Sequence, residues 1–135
     1  MHLFVYGTLM TPFNNQMALK LRREATFIGK AFARGLLFDL GDYPGMVLSH
    51  SKSGIVYGEV FFLDDNLKLL KILDAYEGIG KSTYAKQDEY RRDVITVTLV
   101  TSLNKFDAFA YIYNLSHEGK KHVVSGNYLN YLNLI

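Results

Sequence analysis

Cysteine is absent from the 135 residues of this chain. That excludes disulfides, thiolate metal sites, iron–sulfur clusters and cysteine nucleophiles together, so any chemistry must use oxygen or nitrogen groups. Tryptophan is absent as well, and there are 2 prolines. No run of about 18 apolar residues occurs, as a membrane-spanning helix requires. Nor does a basic segment lead into an apolar stretch and cleavage site, as in a secretion signal. The expectation is a cytoplasmic protein with no membrane partner. A concentrated basic face is missing too: 15 Lys and Arg against 13 Asp and Glu leave a net charge of +2. The basic residues gather only in pairs such as Arg22-Arg23, Arg91-Arg92 and Lys120-Lys121. Nucleic acid wants clustered cations, so no nucleic-acid partner is expected.

What is present is enough for a core. With 49% apolar and 21% charged residues, the chain is expected to form one domain over 1–135. The 10 Tyr and 9 Phe sit mostly inside apolar runs such as VYGEVFFL and FAYIYNL. Aromatics in such runs read as sheet or barrel core, with a few tyrosines left to line a pocket.

Residues 2–6 read as a short buried strand broken by Gly7. Thr11-Pro12 reads as a helix start, with the helix running to about Glu24, because Thr caps well and Pro fits the first turn. Residues 27–40 and 54–63 read as strands, separated by the turn chemistry of 41–45 and 49–53. From Asp64 to Tyr76 the apolar positions 69, 72, 73 and 76 share one face behind acidic caps, and Gly78 closes the stretch as a helix stop. Alternation over 94–100 predicts a half-buried strand with Ile95, Val97 and Leu99 inward. Residues 107–115 predict another strand and 125–132 a short helix. Strands outnumber helices, and the connections are too short for regular βαβ crossovers. The fold class is α+β: a small mixed, mostly antiparallel β-barrel with a few flanking helices.

Several motifs fail on geometry. Residues 75–82, AYEGIGKS, fit a relaxed phosphate loop, but such a loop follows a strand and opens a helix, whereas here the helix comes first. His117 and His122 resemble a zinc helix motif with one residue too many. A five-residue step turns a helix by about 500° and separates the two rings, and Gly119 lies between them. A solvated loop is expected there, with no metal; His2 and His50 are isolated and receive no role. No G-x-S-x-G turn is present for a serine nucleophile.

A carboxylate remains the best acid or base. Glu77 stands between Tyr76 and Gly78 at the end of a predicted helix whose neighbours are Leu73 and Ile79. Apolar surroundings and the negative end of a helix both disfavour its charged form, so its pKa should rise, as suits a proton shuttle. The competing reading is a helix-ending Glu in water. At the other end of the chain, the amides of Gly7, Thr8 and Leu9 after a strand could converge as a nest for a carboxylate or oxyanion, or simply end the strand in a turn.

Taken together, FVYGTL at 4–9, GLLFDLGDYPGMV at 35–47, VYGEVFFLD at 56–64, LDAYEG at 73–78, YRRDVITV at 90–97, AYIY at 110–113 and SGNY at 125–128 resemble the gamma-glutamylcyclotransferase-like family. That family includes the gamma-glutamylamine cyclotransferases and AIG2-like proteins. The resemblance implies a small barrel whose pocket lies between the YGTL loop and the YEG glutamate. Tyr6, Gly7, Thr8 and Leu9 look like the substrate-binding loop, and Glu77 like the proton acceptor. A tyrosine of the AYIY strand, Tyr111 or Tyr113, joins the lining, and Tyr113 is carried forward. Met10 and Tyr128 depart from the family pattern, in which a polar or basic residue and a Trp are common. The implied reaction converts a small-molecule gamma-glutamyl amine or peptide to 5-oxoproline and a free amine, without metal or organic cofactor. The alternative is a non-catalytic module of the same fold that binds a small metabolite or a protein.

Overall fold

The computed structural model of the chain describes residues 1–49 and 54–134. The expected turn over 49–53 falls outside them from residue 50 onward, as does His50. The strands are β1 (His2–Val5), β2 (Thr26–Arg34), β3 (Leu36–Asp39), β4 (Pro44–Val47), β5 (Ile55–Phe62), β6 (Tyr90–Leu99), β7 (Lys105–Tyr113) and β8 (Lys121–His122). The helices are α1 (Gln16–Glu24), α2 (Leu67–Tyr76) and α3 (Tyr128–Tyr131), with a 3-10 turn at Ala85–Gln87.

Five strands close a mixed barrel in the order β1, β5, β2, β6, β7. Closure comes from the parallel pairing of β1 with β7, where Leu3 faces Phe109 and Phe4 faces Ala110. Further along the same edge of β7, β4 pairs in parallel at Met46 and Ile112. β4 carries β3 and β8 outward as an antiparallel extension. Parallel contacts at β7 and antiparallel ones elsewhere give the mixed, mostly antiparallel barrel that the short connections imply.

Leu3, Phe4 and Val5 are all buried in succession. Such a run belongs to a strand covered on both faces rather than one. Phe4, Phe61, Val56, Val60 and Ile112 are fully buried with Leu69 and Leu73 of α2. Truncating a large member of this cluster to Ala is worth about 2–5 kcal/mol.

Several boundaries differ from the sequence reading: β6 begins at Tyr90 rather than at 94, β7 runs Lys105–Tyr113 rather than 107–115, and α3 is confined to Tyr128–Tyr131 within the expected 125–132. α1 begins at Gln16 with Asn15 as its cap, accepting from the Ala18 amide at 2.8 Å, and not at Thr11-Pro12. Thr11 is occupied elsewhere: its amide and hydroxyl donate to the two carboxylate oxygens of Glu59 at 2.8 and 2.6 Å. α2 is capped by Asn66 rather than by the aspartates, with the Leu69 amide donating at 3.0 Å, and it buries Leu69, Leu70 and Leu73 while Tyr76 stays 48% exposed. The stretch read as one strand over 27–40 is two, broken at Gly35, and the predicted turn at 41–45 contains the start of β4. Among the described residues no helix is long and apolar enough to cross a membrane.

Candidate active site

A cavity of about 510 Å³ opens between the loop after β1, the end of α2 and the segment leading into β6. The β1 loop enters it at Gly7, Thr8 and Leu9. A turn closed by the Met10 amide donating to the Gly7 carbonyl at 3.1 Å shapes the loop. The Gly7, Thr8 and Leu9 amides donate to no described residue. Three unspent N–H groups beside a cavity can accept the load of an anionic oxygen. Glycine is needed at position 7 for space: a Cβ there would stand 2.8 and 2.9 Å from Cγ and Cδ of Pro44.

Both ends of the loop are pinned. At its start the Tyr6 hydroxyl donates to the Tyr111 carbonyl at 2.5 Å and accepts from the Met46 amide at 3.1 Å. Tyr6 therefore lines the cavity with its ring while its hydroxyl ties β1 to β7 and β4. Beyond the loop, Thr11 holds the carboxylate of Glu59, which is only 3% exposed. Asn15 adds a bond from its side-chain amide to the Thr8 carbonyl at 2.7 Å.

Glu77 comes to the cavity through the way α2 ends. It is the C-cap residue; Gly78 follows in the left-handed region at φ 82°, its amide donates to Ala75 at 3.1 Å, and the Ile79 amide reaches Asp74 at 3.0 Å. This double closure is the glycine-dependent stop expected from YEG. It holds Glu77 half-buried at the cavity wall. Burial, and then the negative charge of Glu89, push its carboxyl up to about 7.

Four phenols surround this charge. Burial first pushes the hydroxyls of Tyr6, Tyr90 and Tyr111 above their ordinary range and that of Tyr43 up to about 12. Glu89 adds next for Tyr43, Asp74 for Tyr111 and Tyr6 for Tyr90, and the charge of Glu77 adds a smaller share to all four. All four line the cavity as neutral groups at physiological pH. Tyr43 donates to both carboxylate oxygens of Glu89 at 2.8 Å. The Tyr90 hydroxyl donates to the Pro44 carbonyl at 2.7 Å.

The residues named from sequence come together with one exception. Tyr6, Gly7, Thr8, Leu9 and Glu77 line one cavity, and from β7 it is Tyr111 that lines it. Tyr113 packs edge-on against Tyr90 with ring centres 6.0 Å apart and closes over Gly45. It lies two residues farther along β7 and is not among the lining residues, although the charge of Glu89 reaches its hydroxyl and raises its pKa after burial. Met10 is buried in the core, and Tyr128 stacks between Phe13 and Tyr131. Sequence reasoning missed Tyr43 and Glu89. Tyr43 sits in a stretch that reads as a turn, and the contact with Glu89 spans 46 positions, so no local pattern announces it.

The rejected motifs have structural fates. The amides of Gly80 and Ser82, in the phosphate-loop lookalike, donate to the carboxylate of Asp88 at 2.9 and 3.0 Å. Those bonds hold the Asp88 carboxyl below its ordinary range. The anion-binding capacity of this loop is thus spent on the protein itself. His117 and His122 both pack on Phe38, with ring centres at 4.5 and 5.4 Å. No group of 3 or more potential metal ligands occurs among the described residues.

Comparison with known proteins agrees with this architecture. Residues 3–130 match the family described as gamma-glutamyl cyclotransferase, AIG2-like. A gamma-glutamylcyclotransferase family protein of Citrobacter rodentium is 31% identical over 131 residues, covering 96% of each chain. The gamma-L-glutamyl-butirosin B gamma-glutamyl cyclotransferase of Niallia circulans is 39% identical over 82 residues, 58% of this chain and 49% of that protein. The crystal structure of YkqA from Bacillus subtilis superposes with a TM-score of 0.71 at 25% identity, covering 98% of this chain and 41% of that one. The chain belongs to the gamma-glutamyl cyclotransferase, AIG2-like family.

Proposed function

We propose that the protein is a gamma-glutamyl cyclotransferase that converts a gamma-glutamyl amine or peptide to 5-oxoproline with Glu77 as general acid–base group. The observation that supports this most is the joint lining of one cavity by Glu77 and the unspent amides of Gly7, Thr8 and Leu9. The nucleophile is the substrate's own α-amino nitrogen. A cavity that holds the glutamyl chain curled brings this nitrogen to the γ-carbonyl carbon and gains the advantage of an intramolecular reaction.

Glu77 accepts the proton lost by the attacking nitrogen as the ring C–N bond forms. It then delivers a proton to the departing nitrogen as the old amide C–N bond breaks. A carboxyl whose pKa is about 7 is suited to both transfers near neutral pH. The loop amides stabilise the substrate carboxylate or the negative oxygen of the tetrahedral intermediate. The chemistry calls on no cofactor. The Niallia circulans relative is named for removing a gamma-glutamyl group by cyclotransfer, which favours the same bond for this chain.

The test is incubation of the purified protein with gamma-glutamyl dipeptides and gamma-glutamylamines, with chromatographic detection of 5-oxoproline. Product from at least one substrate is expected. Thermal stabilisation by these compounds without product would instead favour a binding module.

A further inference from the structure

The end of α2 is held by a bridge that the chemistry above does not use. One carboxylate oxygen of Asp74, in the last turn of α2, accepts the Tyr111 hydroxyl at 2.7 Å, and the other pairs with the Arg92 guanidinium of β6. Arg92 is itself seated over the Phe109 ring, 4.8 Å from its centre. The Asp74 backbone carbonyl receives the Ile79 amide. Both side chain and backbone of Asp74 therefore constrain the turn that carries Glu77 three residues later.

Tyr111 links this bridge to the other half of the site. Its hydroxyl holds the helix end, and its carbonyl accepts the Tyr6 hydroxyl, one residue before the loop that lines the cavity. A continuous path of Arg92, Asp74, Tyr111 and Tyr6 thus spans from the candidate base to the candidate anion site. Nothing in the reaction needs the charge of Asp74 or Arg92. Their value lies in distance, because misplacing a reacting group by about 1 Å can cost about 100-fold in rate.

We infer that Asp74 and Arg92 are positioning residues that fix the carboxyl of Glu77 against the amides of Gly7, Thr8 and Leu9. This rests on the cyclotransferase reading for its consequence in rate, but not for its consequence in structure. Without the bridge the C-terminal turn of α2 is free to swing Glu77 toward water.

The charges around Glu77 make the structural consequence distinctive. Glu89 ahead of β6, Asp74 on α2, Arg92 on β6 and the phenols of Tyr6, Tyr43, Tyr90 and Tyr111 surround the end of the helix. Removing the Arg92 cation, and so leaving Asp74 unpaired, would by electrostatics alone raise the Glu77 pKa. Loss of position would lower it, because burial is its largest cause.

The experiment is a ¹³C titration of glutamate side-chain carboxyls in the full chain, with the Glu77 resonance assigned by its loss in Glu77→Gln. It compares wild type, Arg92→Met, Arg92→Lys and Asp74→Asn, with kcat and KM for any gamma-glutamyl substrate that turns over. In Arg92→Met the midpoint should fall from about 7 toward the ordinary 4.5, against the electrostatic sign. In Asp74→Asn lost position and the lost anion both lower it, so that variant reports through kcat. Arg92→Lys should stay near wild type. Where turnover is seen, kcat should drop about 10- to 100-fold in Arg92→Met and Asp74→Asn with KM changed much less. A Glu77 midpoint that is unchanged or raised in folded Arg92→Met overturns the inference. A lowered midpoint in a protein that makes no 5-oxoproline upholds the positioning and refutes the enzyme reading instead.

Discussion

Glu77 and Glu89 line the same cavity, and the charge of Glu89, held by two bonds from the Tyr43 hydroxyl, adds to burial in raising the proton affinity of Glu77. As a base, Glu77 has to be ionised in the free enzyme, so kcat/KM should rise with pH through about 7. Glu89→Gln should move this limb to lower pH, by less than the whole shift because burial is the larger cause. A pH–rate profile of the two proteins checks the sign; an upward move would contradict the arrangement.

Stability should carry the same signature. Glu77 binds its proton more tightly folded, at about 7, than at its ordinary 4.5. The folded state is therefore favoured in acid, and stability falls as pH rises between those values. Above that window the penalty is complete, about 1–3 kcal/mol once partial exposure is allowed for. Glu77→Gln escapes it, so denaturant midpoints should coincide near pH 4, with the variant the more stable protein at pH 8.

Gly7→Ala tests the loop. Its new Cβ would meet Cγ and Cδ of Pro44 at 2.8 and 2.9 Å, and the rigid proline ring gives way only if the loop or β4 shifts. Overpacking of this kind costs about 1–3 kcal/mol. Activity should fall further than stability, since the shift displaces the amides themselves; thermal melts and steady-state kinetics on the same preparation separate the two effects.

The tyrosines of the barrel should divide by what their hydroxyls do. Tyr6→Phe strips two buried backbone groups of a partner and should destabilise by about 1–3 kcal/mol. The Tyr113 hydroxyl makes no hydrogen bond to a described residue, and Tyr113→Phe should leave both melting and turnover close to wild type. Tyr111→Phe, which loses the bond to Asp74, should reduce kcat.

The barrel and the two ends of the site were legible because each leaves a local mark. Alternation around Ile95 and Val97 marks β6, Gly78 marks the end of α2, and Gly7 marks the break after β1. The start of α1 was misread because Thr11-Pro12 has the chemistry of a cap, while Glu59, 48 positions away, claims Thr11 and leaves Asn15 to cap the helix. The choice between Tyr111 and Tyr113 was closed to sequence for a similar reason. Both point to one side of β7, and which of them meets the cavity depends on where Gly45 and Tyr90 cover that side. Glu89, Asp74 and Arg92 acquire meaning only through partners distant in sequence, on other elements and turns.

The most direct measurement is 5-oxoproline formation by wild type and Glu77→Gln on the best substrate of the gamma-glutamyl panel. The variant keeps the shape of the side chain and loses its titration. A loss of about 100- to 10,000-fold in kcat, with the fold intact by circular dichroism, is the predicted result. Turnover by Glu77→Gln at the wild-type rate would contradict the account.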